Sequence, residues 1–292
     1  MHILDVLKSN KPSISFEFFP PKTEAGSETL FGVIRELIEV KPSFVSVTYG
    51  AGGTTRDLTH DLVLRILQET QIPAVPHLTC VQHTQQEILE ILSRYASAGV
   101  RNILALRGDP PRDQPDYNRE HDDFPFASDL VKFITEFNRS SESANFGIGV
   151  AGFPEGHPET PNRLKEMDYF KKKIDEGADY ICSHLFFENT DLFDFRDRCS
   201  LAGIEVPIIA GVMPVTSRKG MIRMAELAAG ARFPAKLQSL LKGHPDDDVT
   251  DIGIDYAASQ CKELIQEGIP GIHFYTLNKS RATIEVVKRL AL

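Results

Sequence analysis

The stretch SISFEFFPPK (13–22) places one ionisable side chain, Glu17, among Phe16, Phe18 and Phe19. The flanking residues suit a pleated, half-covered strand that Pro20 and Pro21 stop. A carboxylate in such surroundings is costly unless it is paired or protonated, and a carboxyl kept protonated near neutral pH is a general acid. Other groups able to do chemistry recur at the ends of β-type runs. Thr48 and Tyr49 close FVSVTY, and AVPHLT carries His77. NILALR runs into Arg107, Gly108 and Asp109. FGIGVAG leads to Phe153 and His157, DYICSHL ends near Ser183 and His184, and GIHFYTL carries Tyr275. Singly, each has a bland explanation; a lone His77 is more often a satisfied core histidine. Their recurrence at one level of successive strands is what marks a site.

The elements that must position them number eight strand runs: 13–19, 44–49, 74–79, 102–107, 146–152, 179–185, 207–213 and 271–277. Helical patterns lie between. Ile88, Ile91, Leu92 and Tyr95 share one helical face, as do Leu164, Met167, Phe170 and Ile174. SAGVRN, DEGADY, LAGIEV and QEGIPG each put a glycine between a helix and the next strand. The alternation predicts a single (β/α)8 barrel domain over 1–292, with a doubly wound sheet as the alternative. Residues 228–250 read as additional helix and loop, with Asp246–Asp248 solvated in the loop. On the helix after the fifth strand, Glu166, Tyr169 and Lys173 share a stripe that reads as an exposed face, with Lys171, Lys172 and Lys173 as solvated charges.

Composition narrows the partners. The 292 residues carry 32 Lys and Arg against 41 Asp and Glu, a net charge of -9, which disfavours non-specific binding to nucleic acid or anionic membranes. No run approaches a membrane span, and the first residues lack the form of a signal peptide. Cys80, Cys182, Cys199 and Cys261 are scattered without metal or disulfide spacing, which points to a reduced cytoplasm and no metal. TYGAGGTTRD (48–57) follows a strand, yet its glycines do not have G-x-G-x-x-G spacing; a turn that brings backbone close to a ligand is the better reading. In LRGDPP (106–111), Arg107 suits an anion contact and Asp109 a placed negative charge. The bland alternative is a surface pair between the two.

SFEFFPPK, FVSVTYGAGG, PHLTC, ALRGDPP, FPEGHPE, LFFEN and HFYTLN occur in that order, and together they resemble the methylenetetrahydrofolate reductase family over about residues 13–290. The resemblance implies a (β/α)8 barrel holding FAD non-covalently, with NADH or NADPH as electron donor. It also implies folate substrates, a short bacterial form without a C-terminal regulatory domain, and a homo-oligomer. It implies Glu17 as catalytic acid and Asp109 as the carboxylate near flavin and pterin. Thr48, Tyr49, His77, Arg107, Gly108, Asp109, Ala127, His157, Glu166, Lys172 and Lys173 fall at cofactor positions. Glu17, Asp109, His184, Tyr275 and Lys279 fall on the substrate side.

Four positions depart from the family pattern. His184 stands where Gln is usual, offering two ring nitrogens for an amide and adding a titratable group. Phe153 stands for a frequent Tyr, and Lys172 and Lys279 stand for Arg, exchanging a two-pronged contact for a single one. Two other classes of function are compatible with the residues: a flavin-free barrel lyase using Glu17 as base, and a non-catalytic folate or flavin binder.

Overall fold

The computed structural model describes residues 1–8, 12–50, 56–111, 114–141, 144–227 and 231–291. Eight parallel strands close into a barrel in chain order: β1 (Ser13–Phe18), β2 (Phe44–Val47), β3 (Ala74–Thr79), β4 (Asn102–Leu106), β5 (Gly147–Gly152), β6 (Tyr180–Ser183), β7 (Ile208–Val212) and β8 (Gly271–Tyr275). The barrel closes through β8 against β1, with Ser15 opposite His273 and Glu17 opposite Tyr275. The doubly wound alternative is thereby excluded. All eight strands lie where the β-type runs predict them, none shorter by more than three residues.

Period two divides each strand between two cores. Phe16, Phe18, Val45, Val47, Leu78, Ile103, Ile148, Val150, Ile181, Val212 and Phe274 point outward and are covered by the surrounding helices. Phe44, Val75, Leu104, Tyr180, Cys182 and Ile209 pack inside the barrel. There they meet Ile3 and Leu7 of α1 (Ile3–Leu7). The backbone N–H of Ile3 donates to Asn102 Oδ1 at 2.8 Å, and the Asn102 amide donates to the Met1 carbonyl at 3.0 Å. Asn102 opens β4, so α1 sits at the N-terminal end of the barrel, and the opposite mouth is left for chemistry.

The helices are α2 (Glu24–Ile38), α3 (Arg56–Thr70), α4 (Gln85–Ser97), α5 (Ala127–Ser140), α6 (Arg163–Asp175), α7 (Asn189–Leu201), α8 (Arg218–Leu227), α9 (Ala235–Leu241), α10 (Asp246–Gln266) and α11 (Arg281–Leu290). In α4 the face Ile88, Ile91, Leu92 and Tyr95 is buried as its spacing requires. A capping box between Thr84 and Glu87 starts that helix. In α6, Met167 and Phe170 are buried, but Leu164 is 80% exposed. Glu166 closes the inward face of that first turn instead, because its carboxylate is needed by neighbouring donors. Among the described residues three helices separate β7 from β8. The run Asp246–Asp248 opens α10 and is not a loop.

Candidate active site at the C-terminal mouth of the barrel

Glu17 is the next-to-last residue of β1, so its side chain lies inside the barrel near the mouth. All six residues of the strand are buried, where the sequence suggests a half-covered ribbon. Only 6% of Glu17 is exposed, and burial pushes its carboxyl up to about 8. His77 of β3 is its neighbour, with Nε2 at 3.6 Å from Glu17 Oε2. Burial pushes the imidazole down to about 3. Both groups are therefore neutral at pH 7, and the pair is not a salt bridge. His77 Nε2 and Thr79 Oγ1 are buried without a hydrogen-bond partner among the described residues.

Below this pair, His273 of β8 sits between Ser15 Oγ (2.8 Å from Nδ1) and Ser46 Oγ (3.1 Å from Nε2). Ser15 gives its proton to the Ile272 carbonyl at 3.2 Å, so Nδ1 donates to Ser15 and Ser46 donates to Nε2. Burial pushes this imidazole down to about 3 as well. Sequence reasoning did not single out His273. Its place two residues before Tyr275 on one strand, hence on the same inward face, was the available signal.

The mouth carries an aromatic wall. Phe153 stacks on His184 (5.5 Å, 11°), His157 meets Phe153 edge-on at 4.7 Å, and Tyr275 lies 6.2 Å from the His184 ring. The Tyr275 hydroxyl donates to the Ser183 carbonyl at 3.0 Å, and burial raises its pKa well above the ordinary value. Gly211 of β7 makes room for this contact: a Cβ there would stand 2.7 Å from the Tyr275 ring and 2.3 Å from the Ser183 carbonyl oxygen. Burial lowers the pKa of His184, and the charge of Asp109 opposes that shift. Asp109 itself is exposed at the rim.

Gly108 turns the chain between Arg107 and Asp109 with φ +84°, and a Cβ there would lie 2.9 Å from Thr79 Cβ. The turn thus packs on the end of β3. Arg107 does not pair with Asp109. Its guanidinium makes a two-pronged contact with Glu159 (2.7 and 3.2 Å), which Arg119 joins at 3.4 Å. Glu159 was not foreseen, since some fifty residues of sequence separate it from Arg107.

Lys173 is not a solvated charge. It is part-buried, donates from Nζ to the Ala151 carbonyl at 3.0 Å, and lies 3.9 Å over the Phe170 ring. Burial pushes it down to about 7, against the opposing charge of Glu166. Glu166 accepts from the His157 backbone N–H (2.8 Å) and from Arg163 Nη1 (3.1 Å), with Arg198 Nη1 at 3.9 Å. Its carboxylate ties the loop after β5 to α6. His157 Nδ1 accepts from the Glu159 N–H at 3.1 Å, which leaves Nε2 as the ring's donor. Burial lowers the His157 pKa, and the nearby charges of Arg107 and Lys173 lower it further.

The remaining candidates are less concentrated. Ala127 opens α5. Thr48 follows β2, its N–H donating to the Phe18 carbonyl at 2.9 Å. The Tyr49 hydroxyl is engaged with His83 Nε2 at 3.0 Å. Lys172 is exposed, 3.7 Å from Asp129. Lys279 is exposed beyond β8. Residues 51–55 of the glycine-rich loop lie outside the described residues. Among the described residues no group of three His, Cys, Asp or Glu side chains is arranged to hold a metal ion, and no helix is long and apolar enough to cross a membrane.

Fold and site together define a (β/α)8-barrel protein with a buried neutral carboxyl, an aromatic wall and a cationic flank at its C-terminal mouth. The family model for methylenetetrahydrofolate reductase matches residues 2–291. Methylenetetrahydrofolate reductase (NADH) 1 of Arabidopsis thaliana is 38% identical over all of this chain and 51% of its own length. The 5,10-methylenetetrahydrofolate reductase of Escherichia coli is 38% identical over 96% of this chain and 91% of its own length. The chain spans about half the length of the plant and fission-yeast relatives and about nine-tenths of the bacterial ones. Among solved structures, an uncharacterized protein from Clostridium thermocellum described as binding two copies of 5-methyl-5,6,7,8-tetrahydrofolic acid shares the fold. Its TM-score is 0.63 at 15% identity, over 99% of this chain and 98% of that one. An oxaloacetate acetylhydrolase superposes with TM-score 0.53 at 10% identity, over 97% and 80%. At such identities the likeness is one of fold alone. The chain belongs to the methylenetetrahydrofolate reductase family.

Proposed function

We propose that the protein reduces 5,10-methylenetetrahydrofolate to 5-methyltetrahydrofolate with electrons from NADH or NADPH, and that Glu17 is the general acid. The observation that carries this reading is the state of Glu17: buried at the mouth, with its carboxyl pushed up to about 8, it holds a proton at pH 7. Opening the five-membered ring of the substrate needs a proton on N10. The Glu17 O–H bond breaks and an N10–H bond forms; the bond from the methylene carbon to N10 then breaks with its electron pair left on N10, and a 5-iminium cation results. Asp109, at the rim beside His184, supplies negative charge that favours this cation. The wall of Phe153, His184 and Tyr275 suits a flat pterin, with His184 bonded to the Leu185 backbone and one ring nitrogen offered to the pterin edge. Lys279 lies on the substrate side.

The donor set at the mouth fits FAD. Arg107 is a cation suited to a diphosphate, Lys173 is an amine that a bound anion would hold in its charged form, and His157 Nε2 is a donor beside them. Thr48, Tyr49, His77, Gly108, Asp109, Ala127 and Lys172 complete the contacts proposed for it. Glu166 acts one step back, by holding His157 and its loop. FAD, when bound, carries hydride from the nicotinamide nucleotide to the folate. The product would supply methyl groups for methionine synthesis, in a cytoplasm that keeps the four buried cysteines reduced, and the chain would assemble as a homo-oligomer.

The purified protein should be yellow, release FAD on denaturation and be bleached by NADH or NADPH. In stopped-flow measurements, Glu17→Gln should keep reduction by the nicotinamide nucleotide. It should slow reoxidation by methylenetetrahydrofolate by about 10²–10⁴-fold. Absence of FAD after reconstitution would refute the cofactor assignment. Equal loss of both half-reactions, or near wild-type folate reduction, would remove Glu17 from the role of acid.

A further inference from the structure

The acid needs a proton on the oxygen that faces substrate, and it needs its conjugate base to be tolerated once that proton has gone. The barrel interior is poor in groups that could do either. Around the Glu17 carboxyl stand His77 of β3, Cys182 of β6 and Tyr275 of β8, and His273 of β8 lies near His77. All four are buried or part-buried and uncharged at neutral pH. Among the described residues, no hydrogen bond from another protein group reaches either carboxyl oxygen. The Tyr275 hydroxyl is given to Ser183, and both His273 nitrogens are taken by Ser15 and Ser46. His77 Nε2 is left: enclosed, without a partner, and 3.6 Å from Oε2. That separation is only a few tenths of an ångström, roughly, beyond a hydrogen bond, within reach of a small side-chain rotation.

We propose that His77 is a positioning residue for the acid: as the Nε2–H tautomer it donates to Glu17 Oε2, which places the carboxyl proton on Oε1 and holds the carboxylate left behind. The inference rests on the reading of Glu17 as the acid. The proton balance is simple. The Oε1–H proton leaves for the substrate nitrogen, the His77 proton stays on Nε2, and solvent later returns a proton to Oε1. The opposite tautomer would accept the Glu17 proton and turn it away from substrate. Orientation of an acid or base by a third group's fixed tautomer is how such pairs are commonly made directional.

The test is read on the protein reconstituted with FAD, by NMR of ¹⁵N-histidine and ¹³C-glutamate between about pH 5 and 9. His77 should be neutral and protonated on Nε2 throughout. A donor to a buried carboxylate favours its ionised form, so in His77→Leu the Glu17 midpoint should rise by about one unit, a tenfold change in its acidity. His77→Gln, whose amide can donate from the same end, should restore most of the wild-type midpoint. A wild-type Nδ1–H tautomer overturns the proposal, as does a midpoint that stays put or falls in His77→Leu. Should the Leu variant fail to fold, the wild-type tautomer and the Gln variant decide. Glu17→Gln separates the two readings. If it spares the folate half-reaction, Glu17 is not the acid, whatever His77 does. If it abolishes that half-reaction while the NMR result is negative, the acid stands without this partner.

Discussion

The buried Glu17 carboxyl makes a stability prediction independent of catalysis. Its value moves from 4.5 in an exposed chain to about 8 in the folded protein. Between those values the native state binds more protons than the unfolded state, so stability falls as pH rises. The contribution is whole below 4.5, is lost progressively, and is gone above about 8. A shift of this size corresponds to a limiting cost of about 5 kcal/mol, of which roughly 4 kcal/mol accrues between pH 5 and pH 9. Water entry at the mouth makes this an upper figure. Glu17→Gln keeps the shape and cannot ionise, so it escapes the penalty. Other titrating groups are common to both proteins and cancel in the difference. Urea denaturation followed by circular dichroism at several pH values should show the variant gaining on wild type by a few kcal/mol across that range. A difference that stays flat to within about 1 kcal/mol would refute the claim that burial keeps this carboxyl neutral.

Three further outcomes are expected. Gly108→Ala should cost about 1–3 kcal/mol in urea denaturation, from a positive φ and the clash with Thr79. Lys173 has its value pushed down from 10.5 to about 7. Wild type therefore bears a penalty that is full below about 7 and fades toward 10.5. Lys173→Met should gain in relative stability at pH 6 over pH 10, by on the order of 1–3 kcal/mol given the residual solvent contact, seen in the same denaturation series. For His184, burial places the titration below the ordinary 6.5. The folate KM of wild type should change as pH falls into that region, whereas His184→Gln should give a flatter profile; identical profiles would count against a pterin contact.

The strands, their order and the polar residues at their ends were legible because both signals are local. Period two and the turn residues are written within ten residues, and an acid among phenylalanines is visible in one heptapeptide. The sequence also marks which strand-end residues could act. Tertiary structure decided how they pair. Only barrel closure, β8 against β1, sets His273 between Ser15 and Ser46 and brings Tyr275 to the level of Glu17. Likewise, only β3 standing two strands from β1 across the interior puts His77 beside the acid. The departures from sequence expectation have the same cause. A stripe on α6 that reads as solvated holds Glu166 turned in to the His157 N–H and Lys173 turned in to the Ala151 carbonyl, because β5 and the loop after it supply groups that must be satisfied. Arg107 pairs with Glu159 and not with its near neighbour Asp109, which the turn at Gly108 leaves exposed at the rim. Residue types and periodicity are properties of the chain, but burial, and with it the protonation of Glu17, His77 and Lys173, exists only once distant segments have excluded water.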